Sequence, residues 1–536
     1  MLSLFLLVLD KIMFKNPHIF PMNTGSKKFY VNTSKFLPGG GVEAMNNKIH
    51  KAIRRIVISA AIMSAAVLYL SYLPAFAAGP YESYSYDSRG EAIPSQAGYV
   101  PEKTVSGYDL GVGAMRSPSD IFFAEDGTFY IADSGNDRII SANSDLTSAV
   151  KVYTEFRCED GTITTLNRPK GVYFSSESGL LYIADSENSR VLVVSGDGTV
   201  AAELTRPDSE LYTAPTFKPF RVLADKAGNV YTVVNNTTGA AMFSSSGEFM
   251  GFYGANRVQP TAEAVREHIR GFFMSEEKRL KRVRNIPAGI TSFDICGDFI
   301  FTCTSSSSQQ TDTVKKLNAA GKNILEKLNV LFGDKKPMYD TSKNQLLSSA
   351  IVDIDISEDG SINCLDLTSG RIFRYDEECE LMFIIGGKAE QFGGFDTAAA
   401  VESRGDRLYA ADSAKNTITV FRETAFGSMV NRAAALYNDG YYEEALEPWY
   451  EVLRLDGNYR RANIGVASAL LRKGDYSGAM RYARLADSPE LYNKAFEGYR
   501  REFVKAHFRE AVFLVAAAAV LIAVIKRRRR RGGRTK

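Results

Sequence analysis

The sequence predicts an all-β propeller of six blades, followed by an all-α module and one membrane-crossing helix. Three observations predict it. A short unit ending in Asp, a polar turn and a cation recurs along the chain. A second, helical unit repeats with a 34-residue offset. An uncharged apolar run, 511–525, stops abruptly at Lys526 and Arg527 to Arg531. Internal repeats outrank local propensity, because a unit that cannot bury both of its faces alone must stack on its copies.

The β unit reads Tyr130-Ile131-Ala132-Asp133, then Asn136 and Arg138. It returns as Tyr182-Ile183-Ala184-Asp185, then Asn188 and Arg190, and more weakly as Cys364-Leu365-Asp366 with Arg371. A last copy is Tyr409-Ala410-Ala411-Asp412. Gly127, Gly179 and Gly360 each stand six residues before the Asp. Two copies, Gly228 to Val234 and Gly297 to Cys303, keep that spacing without the Asp, and Gly405 to Asp412 is one residue longer. These six units have a propeller-blade period of roughly 40–50 residues. In the second, strands are expected at Gly171 to Phe174, Leu180 to Ala184, Arg190 to Val194 and Val200 to Leu204, with Gly and Asp in the turns. Two intervals are long. One holds an insertion, 260–285, that reads as helix, and the other a loop near 332–347. After Thr417 to Phe421 the last unit turns helical instead of giving a fourth strand. Tyr81 to Leu110 is therefore expected to supply it, which closes the ring and leaves no open edge.

Units of the form Tyr-Ile-Ala-Asp-x-x-Asn-x-Arg resemble NHL repeats, and the resemblance implies a six-bladed propeller over about Ser117 to Phe421. The last unit departs from it, with Thr417 in place of the cation. Asp133, Asp185, Asp366 and Asp412 are expected to cap the turn after the strand, with Asn136 or Asn188 in the left-handed conformation. Arg138, Arg190 and Arg371 fall on the third strand, placed to pair with an acid. A role that repeats with the blades is structural, whereas a ligand site breaks symmetry.

The ends define a compartment. Translation is expected to start at Met45, leaving 1–44 untranslated or disordered. Lys48, Lys51, Arg54 and Arg55, then the apolar run 56–73, then Ala75-Phe76-Ala77 read as an export signal over 45–77, with an uncleaved anchor as the alternative. Residues 78–115 form the segment that closes the propeller, 116–425 the propeller itself, and 426–502 the helical module. A membrane helix follows over 503–525, and the basic tail 526–536 stays cytoplasmic. The apolar run alone spans only ~22 Å at ~1.5 Å per residue, so Lys505, Arg509 and Glu510 are expected to snorkel. Between the two ends, residues 78–510 carry 48 basic and 60 acidic side chains, a net charge of −12. An acidic body outside the cytoplasm is a poor polyanion binder, which excludes nucleic acid as a partner. The five Cys contain no CxxC. Small buried thiols are the plain reading, and a Cys296–Cys303 disulfide the alternative.

In the helical module Leu436, Gly440, Tyr442 and Ala445 recur as Leu470, Gly474, Tyr476 and Ala479. This pattern resembles the tetratricopeptide (TPR) repeat, with these residues packed between helix pairs. The two units are placed at about 427–458 and 459–491. Two such units are near the lower limit of independent stability, so the module is expected to pack on the last blade or a partner. Trp449, the single Trp, reads as packing core.

Chemistry is sparse. The four His are His18, His50, His268 and His507, so the propeller has His268 alone, in the insertion. A Ser-His-Asp triad has little to draw on, and zinc sites needing two His are excluded. The insertion is the candidate binding surface: Arg266, Arg270, Lys278, Arg279 and Arg282 against an acidic body, with Phe272 and Phe273 as apolar anchors. A solvated helix face is the plain alternative. The expected function is that of a bacterial, single-pass, extracytoplasmic scaffold or receptor for a protein, peptide or glycan, accessory to a transporter or envelope complex. No cofactor is expected. The alternative is a lactone or ester hydrolase similar to gluconolactonase-type propellers, which would use a divalent cation such as Ca2+ at the channel, with no ligand assignable here. Three or more converging carboxylate or amide oxygens at one channel mouth would favour it.

Overall fold

The computed structural model describes residues 81–87, 89–212, 214–255, 289–305, 313–325, 330–340 and 344–532. Six antiparallel sheets stand around an axis. Their innermost strands are Pro118–Phe123, Pro169–Ser175, Pro219–Ala224, Ser292–Cys296, Ile351–Ile356 and Ala398–Arg404. Blades 1, 2, 3 and 5 each run in sequence order from inner to outer strand. Among the described residues blade 4 has three strands. Blade 6 takes its outer strand, Tyr99–Ser106, from the N-terminal side, paired from Thr417↔Ser106 to Glu423↔Tyr99.

Second strands such as Phe129–Asp133 and Val230–Val234 are buried along their whole length, because a blade is covered on both faces by its neighbours. Ile121, Phe129 and Ile131 of blade 1 interleave with Tyr409, Ala411 and Ile418 of blade 6, so the seam where the chain closes is packed like the others. Three inner strands begin with Pro, the position where a strand loses no ladder bond. A bulge follows in five of the six, between Pro118 and Asp120 in blade 1. Gly171 has no room for a side chain: a Cβ there would sit 2.9 Å from the Cα of Arg221, where blades 2 and 3 approach.

Five helices follow: α1 (Ala425–Asn438), α2 (Leu446–Leu455), α3 (Arg460–Lys473), α4 (Tyr476–Leu485) and α5 (Pro489–Gly532). Thr424 caps α1 by accepting from the Gly427 N–H at 3.0 Å. Gly440 and Gly474 end their helices at φ 87° and 82°, which side-chain-bearing residues rarely adopt. The module shares one core with blades 5 and 6: Phe383, Phe395 and Phe421 pack with Phe426, Val430 and Trp449. Asp376 of blade 5 pairs with Arg461 of α3, both buried, and the Tyr459 hydroxyl donates to the Met382 carbonyl at 2.6 Å. Blade 5 therefore buries its outer strand, Leu381–Gly386, beneath helices. α5 runs unbroken for 44 residues and is, among the described residues, the one helix long and apolar enough to cross a membrane. Its apolar stretch is wholly exposed, including Phe513 and Leu514.

The alternative disulfide falls away, the plain reading of unpaired thiols stands, and the expected loop gains structure. Cys296 and Cys303 do not pair: they lie at opposite ends of their strands, facing Phe299 and Ser292, and all five cysteines are free thiols. The loop after blade 4 carries a short hairpin, Met338–Asp340 with Gln345–Leu347, and buries Phe332.

Candidate functional site: the propeller channel

Successive residues of a strand face opposite sides, so positions two apart on the inner strands line the axis in layers. The lower layer holds Asp120, Arg221, Ser292 and Asp353. Arg221 touches all six inner strands. Its Nε lies 3.5 Å from Asp120 (blade 1), 3.5 Å from Asp353 (blade 5) and 3.2 Å from the Ser292 hydroxyl (blade 4). Its Nη atoms donate to the carbonyls of Lys170 (3.3 Å, blade 2), Ala399 (3.0 Å, blade 6) and its own neighbour Phe220 (3.1 Å, blade 3). The forked guanidinium suits this, since five donors leave one rigid plane.

The carboxylates stitch neighbouring blades. Asp120 accepts from the Val172 N–H at 2.9 Å, Asp294 from Ile356 at 2.6 Å, Asp353 from Val401 at 2.7 Å and Asp355 from Ser403 at 3.2 Å. Inner strands of adjacent blades do not pair as sheet, so these N–H groups need side-chain acceptors.

Above this layer a cavity of about 240 Å3 opens at the end of the inner strands. Asp294, Asp355 and Glu402 line it, beside Phe122 and Tyr173, whose rings lie 4.9 Å apart. Arg404 sits at the rim, 3.1 Å from Glu358 and over the Phe123 ring. Asp294 and Glu402 are half-buried, and Asp355 is buried. Burial, then the neighbouring Asp355, raises Asp294 well above the ordinary carboxylate range. Glu402 rises for the same reasons, with Asp294 adding to it. Burial also raises Asp355, against hydrogen bonds from Ser403 and Asn363. Burial pushes Asp120 up to about 7, with Arg221 pulling the other way.

The repeat residues lie at the other end of the inner strands and do not meet the cavity. Asp133 accepts from the Arg116 N–H at 2.7 Å, the Asn136 amide at 2.9 Å and Arg138 Nε at 2.7 Å. Asp185 does the same with Asn167, Asn188 and Arg190. The left-handed residue is not Asn136 or Asn188 but the one after each, Asp137 (φ 52°) and Ser189 (φ 56°); the Asn amides are used to bridge Asp to a carbonyl. Arg371 turns away from Asp366 to Asp334 at 3.0 Å, so Asp366 takes the hydroxyls of Ser349 and Ser369. Asp412, with Thr417 at the position of the cation, accepts backbone N–H groups from Asp396, Thr397, Ala414 and Lys415.

In the helices Ala445 and Ala479 are fully buried, Leu470 nearly so, and Leu436 and Tyr442 pack at the edge of that core. Tyr476 lies against Gly498 of α5. Trp449 is buried against Gly465. Arg266, Arg270, Phe272, Phe273, Lys278, Arg279 and Arg282, with His268, lie outside the described residues.

Sequence reasoning missed Asp120, Arg221, Asp294, Asp353, Asp355 and Glu402. One signal was present: Ile351 to Ile356 alternates Asp with Ile, and acids at every second place of a buried strand must face something polar. Among the described residues no group of three or more His, Cys, Asp or Glu is arranged to hold a metal ion.

The NHL repeat model matches residues 166–194, the first three strands of blade 2. No curated protein matches the chain. Among solved structures, virginiamycin B lyase from Staphylococcus aureus is similar at 12% identity over 58% of this chain and 97% of that one, with a TM-score of 0.34. Hydrazine synthase of Kuenenia stuttgartiensis is similar at 11% identity over 58% and 96%, TM-score 0.34. The propeller domain of Myceliophteria thermophila Cps50 (Swd1) follows at 9% identity over 60% and 99%, TM-score 0.35. Likeness at this level says nothing about chemistry.

Proposed function

We propose that this chain is a membrane-anchored extracytoplasmic scaffold. A rigid propeller is presented by a TPR-like helical module on a single spanning helix, and it binds a protein, peptide or glycan partner. One observation carries the reading: α5 leaves the core of the helical module and continues without a break through an exposed apolar stretch. In water that stretch costs about 25 cal/mol for every Å2 left exposed, and a bilayer removes the cost. Rigid coupling supports it further. The buried Arg461–Asp376 pair and the shared Phe383–Phe426 core leave the propeller no free swivel on its stalk. The basic tail after 525 favours the cytoplasmic side for the C-terminus, and the body then lies outside.

The insertion at 260–285 remains the partner surface in this reading, on charge grounds: a basic, aromatic segment on an acidic body. Deleting 260–285 should leave a folded propeller and abolish partner recovery in crosslinking from intact cells. Equal recovery by the deletion variant would refute that role.

The hydrolase alternative has one observation in its favour, the three carboxyls Asp294, Asp355 and Glu402 at one mouth. They fit a divalent cation poorly. Both oxygens of Asp294 already accept N–H groups, from Ile295 and Ile356. Both oxygens of Asp355 likewise accept already, from the Asn363 amide at 2.6 Å and the Ser403 N–H at 3.2 Å. Turnover of lactones by the purified protein that chelators abolish would restore that alternative.

A further inference from the structure

The cavity at the channel mouth gathers negative groups that no cation of the described chain meets. Asp294 of blade 4, Asp355 of blade 5 and Glu402 of blade 6 line its wall, and Asp355 is 4% exposed. The donors they use are neutral. Asp294 takes the N–H groups of Ile295 at 2.7 Å and Ile356 at 2.6 Å. Asp355 takes the Asn363 amide at 2.6 Å and the Ser403 N–H at 3.2 Å. No N–H of the described residues donates to the Glu402 carboxyl. The nearby cations are committed elsewhere. Arg221, below, is shared by Asp120 and Asp353, and Arg374, on the third strand of blade 5, is held by Asp359 at 3.0 Å. At the rim Lys226 and Arg404 stand among Glu125, Glu177 and Glu358, and Arg404 is taken by Glu358 and the Glu125 carbonyl. Asp225 is used by its own turn, accepting from Ala227, Asn229 and Tyr231.

Acids alone do not name a ligand, but the rest of the wall does. Phe122, Phe123, Tyr173 and Phe174 line the same cavity, with the rings of Phe122 and Tyr173 4.9 Å apart. Rings favour a cation that carries an apolar body, and they offer nothing to a hard metal ion, which takes oxygens on every side. The volume, about 240 Å3, is small. Pockets that engulf drug-sized ligands hold roughly 300–1,000 Å3. The space therefore suits a single stem with a charged end.

We propose that the channel mouth binds a primary ammonium on an unbranched alkyl stem, its charge among Asp294, Asp355 and Glu402 and its stem against Phe122 and Tyr173.

An ammonium carries three donors, enough for one to each carboxyl. Burial raises all three carboxyls above their ordinary range, so they hold protons readily. An entering ammonium replaces those protons and keeps the charge balanced. Two sources offer the group: a free alkylamine or polyamine, and a Lys side chain on a peptide. Binding needs neither the membrane helix nor the insertion 260–285, so it can fail or hold independently of the scaffold reading.

The test is titration calorimetry on the full-length protein in detergent micelles at about pH 8, where an alkylamine is still charged. Pentylamine should bind at one site per chain, and its neutral analogue pentanol about tenfold more weakly or worse, because the charge-assisted bonds are lost. Glu402→Gln should weaken pentylamine about tenfold and leave pentanol unchanged. Should that variant fail to fold, Lys226→Glu decides: Lys226 is exposed at the rim, and reversing its charge should tighten pentylamine about threefold. The tighter binder of spermidine and a blocked Gly-Lys-Gly peptide identifies the source. No pentylamine binding up to about 10 mM, pentanol binding as tight as pentylamine, or equal pentylamine affinity in wild type and Glu402→Gln would overturn the proposal. So would unchanged or weaker pentylamine binding in Lys226→Glu.

Discussion

Arg221 is the residue on which the ring most depends. Its guanidinium reaches every blade, and it neutralises two buried carboxylates, Asp120 and Asp353. Truncating it leaves those buried carboxyls without their cation, a loss of about 3–5 kcal/mol for a broken buried pair. Arg221→Ala should therefore shift the denaturant midpoint further than any single repeat-motif change, and Arg221→Lys should recover only part, because an ammonium has no fork. Asp133 is the comparison. It holds the approach to its own inner strand, through the Arg116 N–H, to the turn that follows its own strand, through Asn136 and Arg138. Asp133→Ala strands these donors at a cost of about 1–3 kcal/mol, measurable as a lower midpoint with partner binding retained.

Among the elements, Tyr99–Ser106 does the most with the least chain. It closes blade 6 along the whole of Thr417–Glu423. The residues just before it reach the helices, Ser95 to Asp456 at 2.8 Å and Gln96 to the Leu455 carbonyl at 3.1 Å. Removing 81–106 should expose the ladder of Thr417–Glu423 as an open edge, and such edges pair with other chains. The truncated protein should elute as soluble aggregates or be recovered insoluble, against a monodisperse full-length control. α5 carries the opposite kind of prediction. A chain ending before residue 511 keeps the helical core, including Ala495, and loses the exposed apolar stretch. It should leave the membrane fraction for the soluble one, read by fractionation and blotting.

At the scale of the molecule, the two ends of the propeller do different work. One end carries the repeated Asp turns, whose bonds are local and match in blades 1 and 2. The other carries the cavity and its raised carboxyls, which come from blades 4, 5 and 6. Among the described residues the helical module packs its core on blades 5 and 6.

The six-unit count, the helical pairs and the apolar end were legible in the residues alone, because each rests on spacing, and spacing survives without neighbours. Gly127 to Asp133 and Gly179 to Asp185 announce a hairpin wherever the chain places them. The channel was not legible. Asp120, Arg221, Asp353 and Glu402 are far apart in the chain and follow no shared motif. Only closure of the ring brings them onto one axis, and burial there changes what their charges do.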